Sequence, residues 1–188
     1  MQLLHSATRN YSWGSRTLIP HLQGQPDSDK PVAELWFGAH PGDPSTVDGR
    51  LLNEVIAEDP AGQLGSRVSA EYGERLPFLL KVLAAEEPLS LQAHPSKAQA
   101  EEGFARENAA GIELTASNRN YKDDNHKPEL IVALTDFYAM AGFRPLARTR
   151  ELFAALECPE LDHYVAMLDD DPSATTESAN LRVLFTTW

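Results

Sequence analysis

The chain has a single cysteine, Cys158, among its 188 residues. One cysteine excludes an intramolecular disulfide bond and a metal cluster built on several thiolates. Basic residues are also scarce, since 16 lysines and arginines stand against 28 acidic residues and give a net charge of -12. This balance argues against binding to nucleic acid or to an anionic membrane, because both need a basic face that releases counterions.

Long apolar runs and recognisable local signals are lacking as well. No segment reaches the roughly 20 apolar residues that cross a bilayer. The first residues, from Met1 to His5, have neither the basic region nor the apolar core of a signal peptide, so we expect a cytosolic protein. There is no glycine-rich phosphate loop, no nucleophile elbow and no H-E-x-x-H motif.

The hydrophobic fraction of 42% is that of a globular protein, and the pattern changes once along the chain. Short runs rich in branched and aromatic residues predict strands at 32–38, 76–83, 89–95 and 128–134. From Pro145 onward, apolar residues recur at helical spacing. We therefore predict a mainly β domain over residues 1–144 and the start of a helical domain over residues 145–188.

Local signals refine this outline. A turn at Glu86-Glu87-Pro88 separates the second and third predicted strands, so we expect these two to form an antiparallel pair. Ser96 can cap a helix that runs through Glu107. Further helical segments are predicted at 51–56, 146–156, 163–168 and 181–185, with an acidic loop at 169–171.

Residues 89–95 carry a polar pattern of chemical interest. Side chains alternate along a strand, so Ser90, Gln92 and His94 would point to one face. An amide oxygen beside an imidazole nitrogen suits a borderline cation such as zinc. Glu129, at the start of another predicted strand, can supply a third ligand. Taken alone, the tripeptide from Gln92 to His94 is better explained as a polar strand face in contact with water.

Two lysines stand out by their positions. Lys81 lies inside an apolar run, where an isolated ammonium group is expensive to bury. It either contacts an anionic ligand on the face of Ser90 and His94 or extends to solvent at a strand end. Lys127 lies beside His126 in a polar loop, and near a cation and an apolar wall it can act as a base. The alternative for Lys127 is an exposed loop lysine.

Glu34 and three aromatic residues have simpler explanations. Because Glu34 lies within an apolar strand, we expect it to form an ion pair with an arginine or a lysine. Tyr11, Trp13 and Trp36 are expected in the core or in the wall of a pocket.

Five motifs occur in order along the first part of the chain. They are N-Y-x-W-G at 10–14, A-E-L-W-x-G-A-H-P at 33–41, L-P-F-L-x-K-V-L at 76–83, L-S-x-Q-A-H-P at 89–95 and N-H-K-P-E at 125–129. Together they resemble the type I mannose-6-phosphate isomerase family over residues 1 to about 144. The helical tail is similar to the start of the helical domain inserted in that family.

The resemblance implies a cupin-like β-barrel or jelly-roll portion followed by the start of a helical domain. It also implies an enzyme of mannose metabolism with one Zn²⁺ per chain. The partner would be a sugar phosphate, since such an enzyme interconverts mannose 6-phosphate and fructose 6-phosphate through an enediol. Position by position, the resemblance implies zinc ligands at Gln92, His94 and Glu129, substrate contacts at Lys81 and Ser90, and proton transfer at Lys127 with His126 beside it.

The chain departs from that family in its length. Family members are much longer, and their fourth zinc ligand is a histidine in a later β-segment. His163 lies in the helical tail and in no matching motif, so we expect an N-terminal portion of the enzyme. Two alternatives stay open. One is an inactive fragment or a non-catalytic cupin-like binding module, and the other is a different metal cupin, such as an iron-dependent oxygenase.

Overall fold

The computed structural model describes residues 2–168, and the chain divides into two units, Met1–Lys127 and Pro128–Trp188. In the described part of the first unit the strands are β1 (Leu4–His5), β2 (Ala7–Arg9), β3 (Glu34–Phe37), β4 (Thr46–Val47), β5 (Arg50–Leu51) and β6 (Leu80–Leu83). Its helices are α1 (Leu18–Leu22), α2 (Leu52–Glu58), α3 (Pro60–Leu64), α4 (Ser66–Tyr72) and α5 (Lys97–Ala109). The second unit contains α6 (Leu146–Ala155), a 3-10 turn (Pro159–Leu161) and α7 (Asp162–Ala166).

The strands of the first unit form two small antiparallel sheets, in the orders β1-β4-β5 and β2-β3-β6. In the second sheet β3 is central, with Trp36 opposite Lys81 of β6 and Glu34 opposite Arg9 of β2. Successive side chains of a strand point to opposite faces. The sheet therefore has one face that carries these polar and aromatic residues and another that is apolar.

The apolar face of this sheet is the core of the first unit. Leu35 of β3 is buried there, together with Ile19 of α1, Val32 and Ala84. Val82 packs against this cluster from β6. Removing apolar surface from water is the main stabilising contribution to such a core, and it fixes which face of the sheet is left for polar side chains.

Helix α5 begins with defined polar contacts. The hydroxyl of Ser96 accepts a hydrogen bond from the backbone N–H of Gln99, and the Gln99 side chain accepts one from the N–H of Ser96. These two bonds form a capping box. The sequence prediction of a helix capped by Ser96 is therefore confirmed.

Glu107 of α5 joins the helix to the loop that follows it. Its buried carboxylate accepts hydrogen bonds from the backbone N–H groups of Asn120 and Tyr121 at 3.1 and 2.9 Å. The fully buried guanidinium of Arg119 lies 3.1 Å from the same carboxylate, and it also donates to the carbonyl of Ile112 at 2.7 Å. The N–H of Tyr121 is the largest of the contributions that lower the pKa of Glu107, with Asn120 and the charge of Arg119 acting in the same direction.

The predicted strand at 89–95 is wrong, and so is its pairing with residues 76–83. The structure leaves residues 88–96 without regular secondary structure, and β6, which covers only the second half of 76–83, pairs with β3 instead. A strand is maintained by hydrogen bonds to a neighbour. Pro88 and Pro95 have no N–H to donate, and among the described residues 89–95 has no ladder partner.

The predicted strand at 128–134 is also wrong. Residues 125–133 have no regular secondary structure, and Leu130 and Val132 are 90% and 73% exposed. An apolar run favours burial of a segment, but burial also requires another part of the chain to pack against it. As a result, the described chain is a mixture of helices and small antiparallel sheets, with more residues in helices than in strands.

The other predicted elements are either confirmed or lie outside the described residues. The strand at 32–38 and the helices at 51–56, 146–156 and 163–168 are confirmed as β3, α2, α6 and α7, with shifted ends. The helix predicted at 181–185 and the acidic loop at 169–171 lie outside the described residues. Across residues 2–168, no helix has both the length and the apolar composition that crossing a membrane requires.

We predict that Glu107→Gln lowers the midpoint of thermal unfolding by several degrees, because the buried guanidinium of Arg119 loses its charged partner. The folded-state pKa of Glu107 lies below its ordinary value of 4.5. The carboxylate therefore stabilises the fold above that value, and this contribution disappears as the pH falls through the folded pKa. Unfolding measured from pH 7 to pH 3 should show a weaker loss of stability on acidification in the variant than in the wild type.

Glu102→Gln is the matched control, because Glu102 lies on the same helix and is 80% exposed, with its carboxylate 3.8 Å from Arg106. Exposed pairs of this kind contribute little to stability. An equal change in the unfolding midpoint for the two variants would contradict a special role for Glu107.

Candidate active site

A pocket of about 260 Å³ lies over the polar face of the β2-β3-β6 sheet. Its lining combines aromatic rings, two charged groups, a hydroxyl and an amide. The lining residues are Tyr11, Trp13, Glu34, Trp36, Lys81, Leu89, Ser90 and Gln92. Concave sites with a few polar groups among aromatic side chains are typical of small-molecule binding.

Strand alternation explains how β3 and β6 contribute to the pocket. Glu34 and Trp36 are two residues apart on β3, and Lys81 is the register partner of Trp36. All three therefore share one face of the sheet, while Leu35 and Val82 belong to the core on the other face. The expectation that Trp36 forms part of a pocket wall is confirmed.

Lys81 is held by a buried carboxylate and an aromatic ring. Its Nζ lies 3.6 Å from Oε1 of Glu34 and 4.8 Å from the centroid of the Trp36 ring. The Trp36 indole N–H donates to the other Glu34 oxygen at 2.7 Å. The predicted ion pair of Glu34 is confirmed, and it holds the ammonium of Lys81 at the pocket wall.

The aromatic wall depends on Arg9, which the sequence reasoning did not single out. Its guanidinium donates to Oδ2 of Asp43 at 2.7 Å and to the hydroxyl of Tyr11 at 3.1 Å. It also lies 5.0 Å from the centroid of the Trp36 ring. The hydrogen bond to Asp43, followed by the one to Tyr11, raises the pKa of Arg9 above its ordinary value. The available signal was alternation, because Arg9 is two residues before Tyr11.

A close backbone approach fixes the turn that carries Tyr11 and Trp13. Gly14 donates its N–H to the carbonyl of Tyr11 at 3.0 Å, and the rings of Tyr11 and Trp13 stack with their centroids 5.5 Å apart. A Cβ atom at Gly14 would lie 2.5 Å from the backbone nitrogen of Ala33. Glycine is therefore required where this turn meets the residue before β3.

Ser90 and Gln92 reach the pocket from a segment without regular secondary structure. Both line it together with Lys81, so the structure brings three of the predicted site residues together. Part of the predicted grouping is therefore present although the predicted strand is wrong, and His94 is not among the residues that line this pocket.

His94 is oriented by a hydrogen bond to the loop that follows α5. Its Nδ1 lies 2.8 Å from the backbone carbonyl oxygen of Lys127. A carbonyl oxygen only accepts, so Nδ1 carries a proton and Nε2 is the nitrogen left to bind a metal. A histidine that binds a metal through one nitrogen usually donates the other N–H to such a carbonyl or to a carboxylate.

The loop that supplies this carbonyl is attached to the start of α5 by Lys97. The Lys97 ammonium donates to the carbonyl oxygen of Asp124 at 2.8 Å and to the side-chain oxygen of Asn125 at 3.1 Å. The loop is further shaped by a 2.8 Å hydrogen bond from the N–H of Asn125 to Asp123. These contacts fix the backbone just before the exposed side chains of His126 and Lys127.

His40 lies near the positive charges of Lys81 and Lys127. Its ring packs edge-on against Trp36 with the centroids 5.1 Å apart, and its Nδ1 accepts a hydrogen bond from the N–H of Gly42 at 3.1 Å. Desolvation lowers the pKa of His40 below its ordinary value, and the positive charges of Lys127 and Lys81 act in the same direction. The ring is therefore neutral near pH 7.

Glu129 belongs to the second unit, where it is exposed and lies outside any helix or strand. The structure thus gathers Gln92, Lys81 and Ser90 around one pocket and describes Glu129 in a different unit. Within residues 2–168, histidine, cysteine and acidic side chains form no group of three that is placed to hold a metal ion.

The first 146 residues match a family model described as phosphomannose isomerase type I, catalytic domain. Mannose-6-phosphate isomerase of Escherichia coli (strain K12) is 46% identical over 177 residues, which cover 90% of this chain and 45% of the relative. Mannose-6-phosphate isomerase of Homo sapiens is 41% identical over 157 residues, which cover 76% and 34% of the two chains. The chain spans less than half the length of these curated relatives.

Solved structures extend the match to the fold. Mannose 6-phosphate isomerase from Salmonella typhimurium, bound to its substrate fructose 6-phosphate and a zinc atom, is 37% identical to this chain with a TM-score of 0.76. The alignment covers 100% of this chain and 52% of that chain. Together with the family match over residues 1–146, this shows that the chain belongs to the type I phosphomannose isomerase family.

Proposed function

We propose that the protein carrying this chain is a zinc-dependent aldose–ketose isomerase that interconverts mannose 6-phosphate and fructose 6-phosphate. The observation that carries the proposal is the pocket in which Lys81, Ser90 and Gln92 meet against an aromatic wall. Membership of the type I phosphomannose isomerase family supports the reaction and the substrate.

In this proposal Lys81 and Ser90 hold the phosphate and so position the sugar. An ammonium and a hydroxyl group supply donors to phosphate oxygens. A local cation matters here, because the net charge of -12 opposes the approach of an anionic ligand. Fixing the phosphate places the reacting carbons at a constant distance from the base, which favours a reaction between groups that are already oriented.

Gln92, His94 and Glu129 are the zinc ligands of the proposal. The orientation of His94 fits this role, because its Nδ1–H donates to the carbonyl of Lys127 and leaves Nε2 free to bind. The support for Glu129 is its place in the N-H-K-P-E motif. A zinc ion bound by this set would polarise the sugar oxygens as a Lewis acid.

Lys127, with His126 beside it, is the proposed proton-transfer group. Isomerisation of the aldose removes a proton from C2, forms an enediol, and returns a proton to C1. Both steps need a basic group close to two adjacent carbons. The anchoring of the 123–125 backbone by Lys97 supports a fixed position for this part of the loop.

We further propose that the small sheets belong to a cupin-like β-barrel or jelly-roll domain over residues 1–144, followed by a helical domain. The start of α6 at Leu146 and the end of the family match at residue 146 support that boundary. The boundary between the two compact units lies earlier in the chain, between Lys127 and Pro128. A cytosolic location belongs to the same proposal and is supported by the single cysteine.

A binding module without isomerase activity is the second candidate. Residues 130–134 are apolar and exposed, and the chain spans less than half the length of its curated relatives. A site that needs further ligands or strands would bind metal and phosphate weakly and would not turn over substrate.

For the zinc site, we expect His94→Ala to weaken Zn²⁺ binding by the 188-residue chain at least tenfold, because a ligand of neutral imidazole type is removed. Isothermal titration with Zn²⁺ measures the change. His21→Ala is the matched control, since His21 is exposed and bonded to Asp27 at 2.7 Å. An unchanged affinity in His94→Ala, or an equal loss in both variants, would exclude His94 as a ligand.

For the proton-transfer step, Lys127→Met in a form of the protein as long as its curated relatives is expected to lower kcat about 10²- to 10⁴-fold, with little change in KM. The assay follows fructose 6-phosphate formed from mannose 6-phosphate. Lys122→Met removes an exposed lysine from the same loop and should leave kcat close to the wild-type value. Full activity of Lys127→Met would exclude this lysine as the base.

The 188-residue chain alone is expected to show little or no isomerase activity, whereas the longer form is active and loses its activity when a chelator removes zinc. Both are measured in the same assay with and without chelator. Rapid turnover by the short chain would contradict the binding-module alternative. Turnover by the longer form that resists the chelator would contradict the role of zinc.

A further inference from the structure

We propose that Glu34 is a positioning residue of the sugar-phosphate site, which fixes the ammonium group of Lys81 where it meets the phosphate. This inference rests on the proposed function, because it assigns Glu34 a role that acts through the substrate contact of Lys81. In this role Glu34 orients the ammonium group of Lys81 inside the pocket, in addition to any contribution that Glu34 makes to the stability of the sheet.

The two carboxylate oxygens of Glu34 have separate partners. One accepts the indole N–H of Trp36 at 2.7 Å, and the other lies 3.6 Å from Nζ of Lys81. The Glu34 side chain is only 8% exposed. The hydrogen bond from Trp36 therefore locks the rotamer of Glu34, and the second oxygen becomes a fixed negative point for the lysine.

The backbone that carries Glu34 is equally constrained. β3 is bonded on one side to β2 and on the other to β6, with Glu34 opposite Arg9 and Leu83. Lys81 is therefore the diagonal neighbour of Glu34 on β6, a separation that a long side chain can span. A group on a central strand is held more rigidly than one on a loop.

Lys81 needs such a partner because its own side chain is flexible. Four methylene groups give lysine many rotamers, and ordering them opposes binding. Because the Lys81 side chain is 37% exposed, packing alone does not restrict it to one conformation. The carboxylate of Glu34 and the ring of Trp36, 4.8 Å from Nζ, restrict the ammonium in advance. Because 3.6 Å is longer than a hydrogen bond, the N–H donors stay available to an anion.

Glu34→Gln separates positioning from a purely structural role. Glutamine keeps the length of the side chain and an oxygen that accepts the Trp36 N–H, but it removes the charge facing Lys81. The change also removes a negative charge from the pocket. A merely electrostatic role for Glu34 thus predicts tighter binding of an anion, whereas positioning predicts weaker binding.

The test measures Kd for fructose 6-phosphate with the 188-residue chain by titration calorimetry. We expect Glu34→Gln to raise Kd about tenfold, the effect of returning one long side chain to disorder before binding. In a Lys81→Met background the same substitution should have no further effect, because coupled residues fail to act additively. Glu54→Gln, an exposed residue of α2, is the control for loss of one charge.

A second measurement reports the position of the amine directly. Lysines labelled as ¹³C-dimethyl derivatives give separate NMR signals, and Lys81→Arg identifies the signal of Lys81. In the wild type the ring of Trp36 should displace this signal from those of the exposed lysines. In Glu34→Gln it should move toward them. If Glu34→Gln fails to fold by circular dichroism, Glu34→Asp replaces it, since its charge lies one methylene farther from Lys81.

The outcomes separate the two levels of the proposal. Equal Kd values for wild type and Lys81→Met would overturn both the phosphate contact of Lys81 and the role of Glu34. If Lys81→Met raises Kd while Glu34→Gln leaves Kd unchanged or lowers it, the positioning role alone would be overturned. An additive effect of Glu34→Gln in the Lys81→Met background, or an NMR signal that does not move, would also overturn it.

Discussion

The antiparallel pairing of β3 with β2 and β6 is the constraint on which the first unit depends. Because side chains alternate along β3, Leu35 enters the core while Glu34 and Trp36 face the pocket. A shift of one residue in this register would exchange the two faces and bury the charge in the core. The same hydrogen bonds therefore determine both the stability of the sheet and the contents of the pocket.

A second constraint acts on the loop that follows α5. Glu107 and Arg119 hold its first part through buried hydrogen bonds, and Lys97 holds the backbone at Asp124. The carbonyl of Lys127 then meets Nδ1 of His94, which is 33 residues earlier in the chain. The orientation of one imidazole thus depends on contacts that begin on a helix and end at a loop carbonyl.

Much of the pocket was predictable from residue types. Lys81, Ser90 and Gln92 were expected on one side of a sheet, and they line one pocket although residues 89–95 form no strand. Glu34 was expected to pair with a cation, since a buried carboxylate in an apolar strand needs one. Arg9 was not predicted, because alternation links it only to Tyr11, whereas its contacts with Asp43 and Trp36 depend on which distant segments lie beside β2.

The sequence by itself determined where apolar and polar side chains alternate, where the helix after Ser96 begins, and which polar residues stand in the five motifs. Only the tertiary structure decided that β6 pairs with β3 and not with residues 89–95, that Glu34 meets Lys81, and that His94 donates to Lys127. The physical reason is that alternation and capping act over a few neighbouring residues, whereas strand pairing and ion pairs depend on which distant segments are brought into contact.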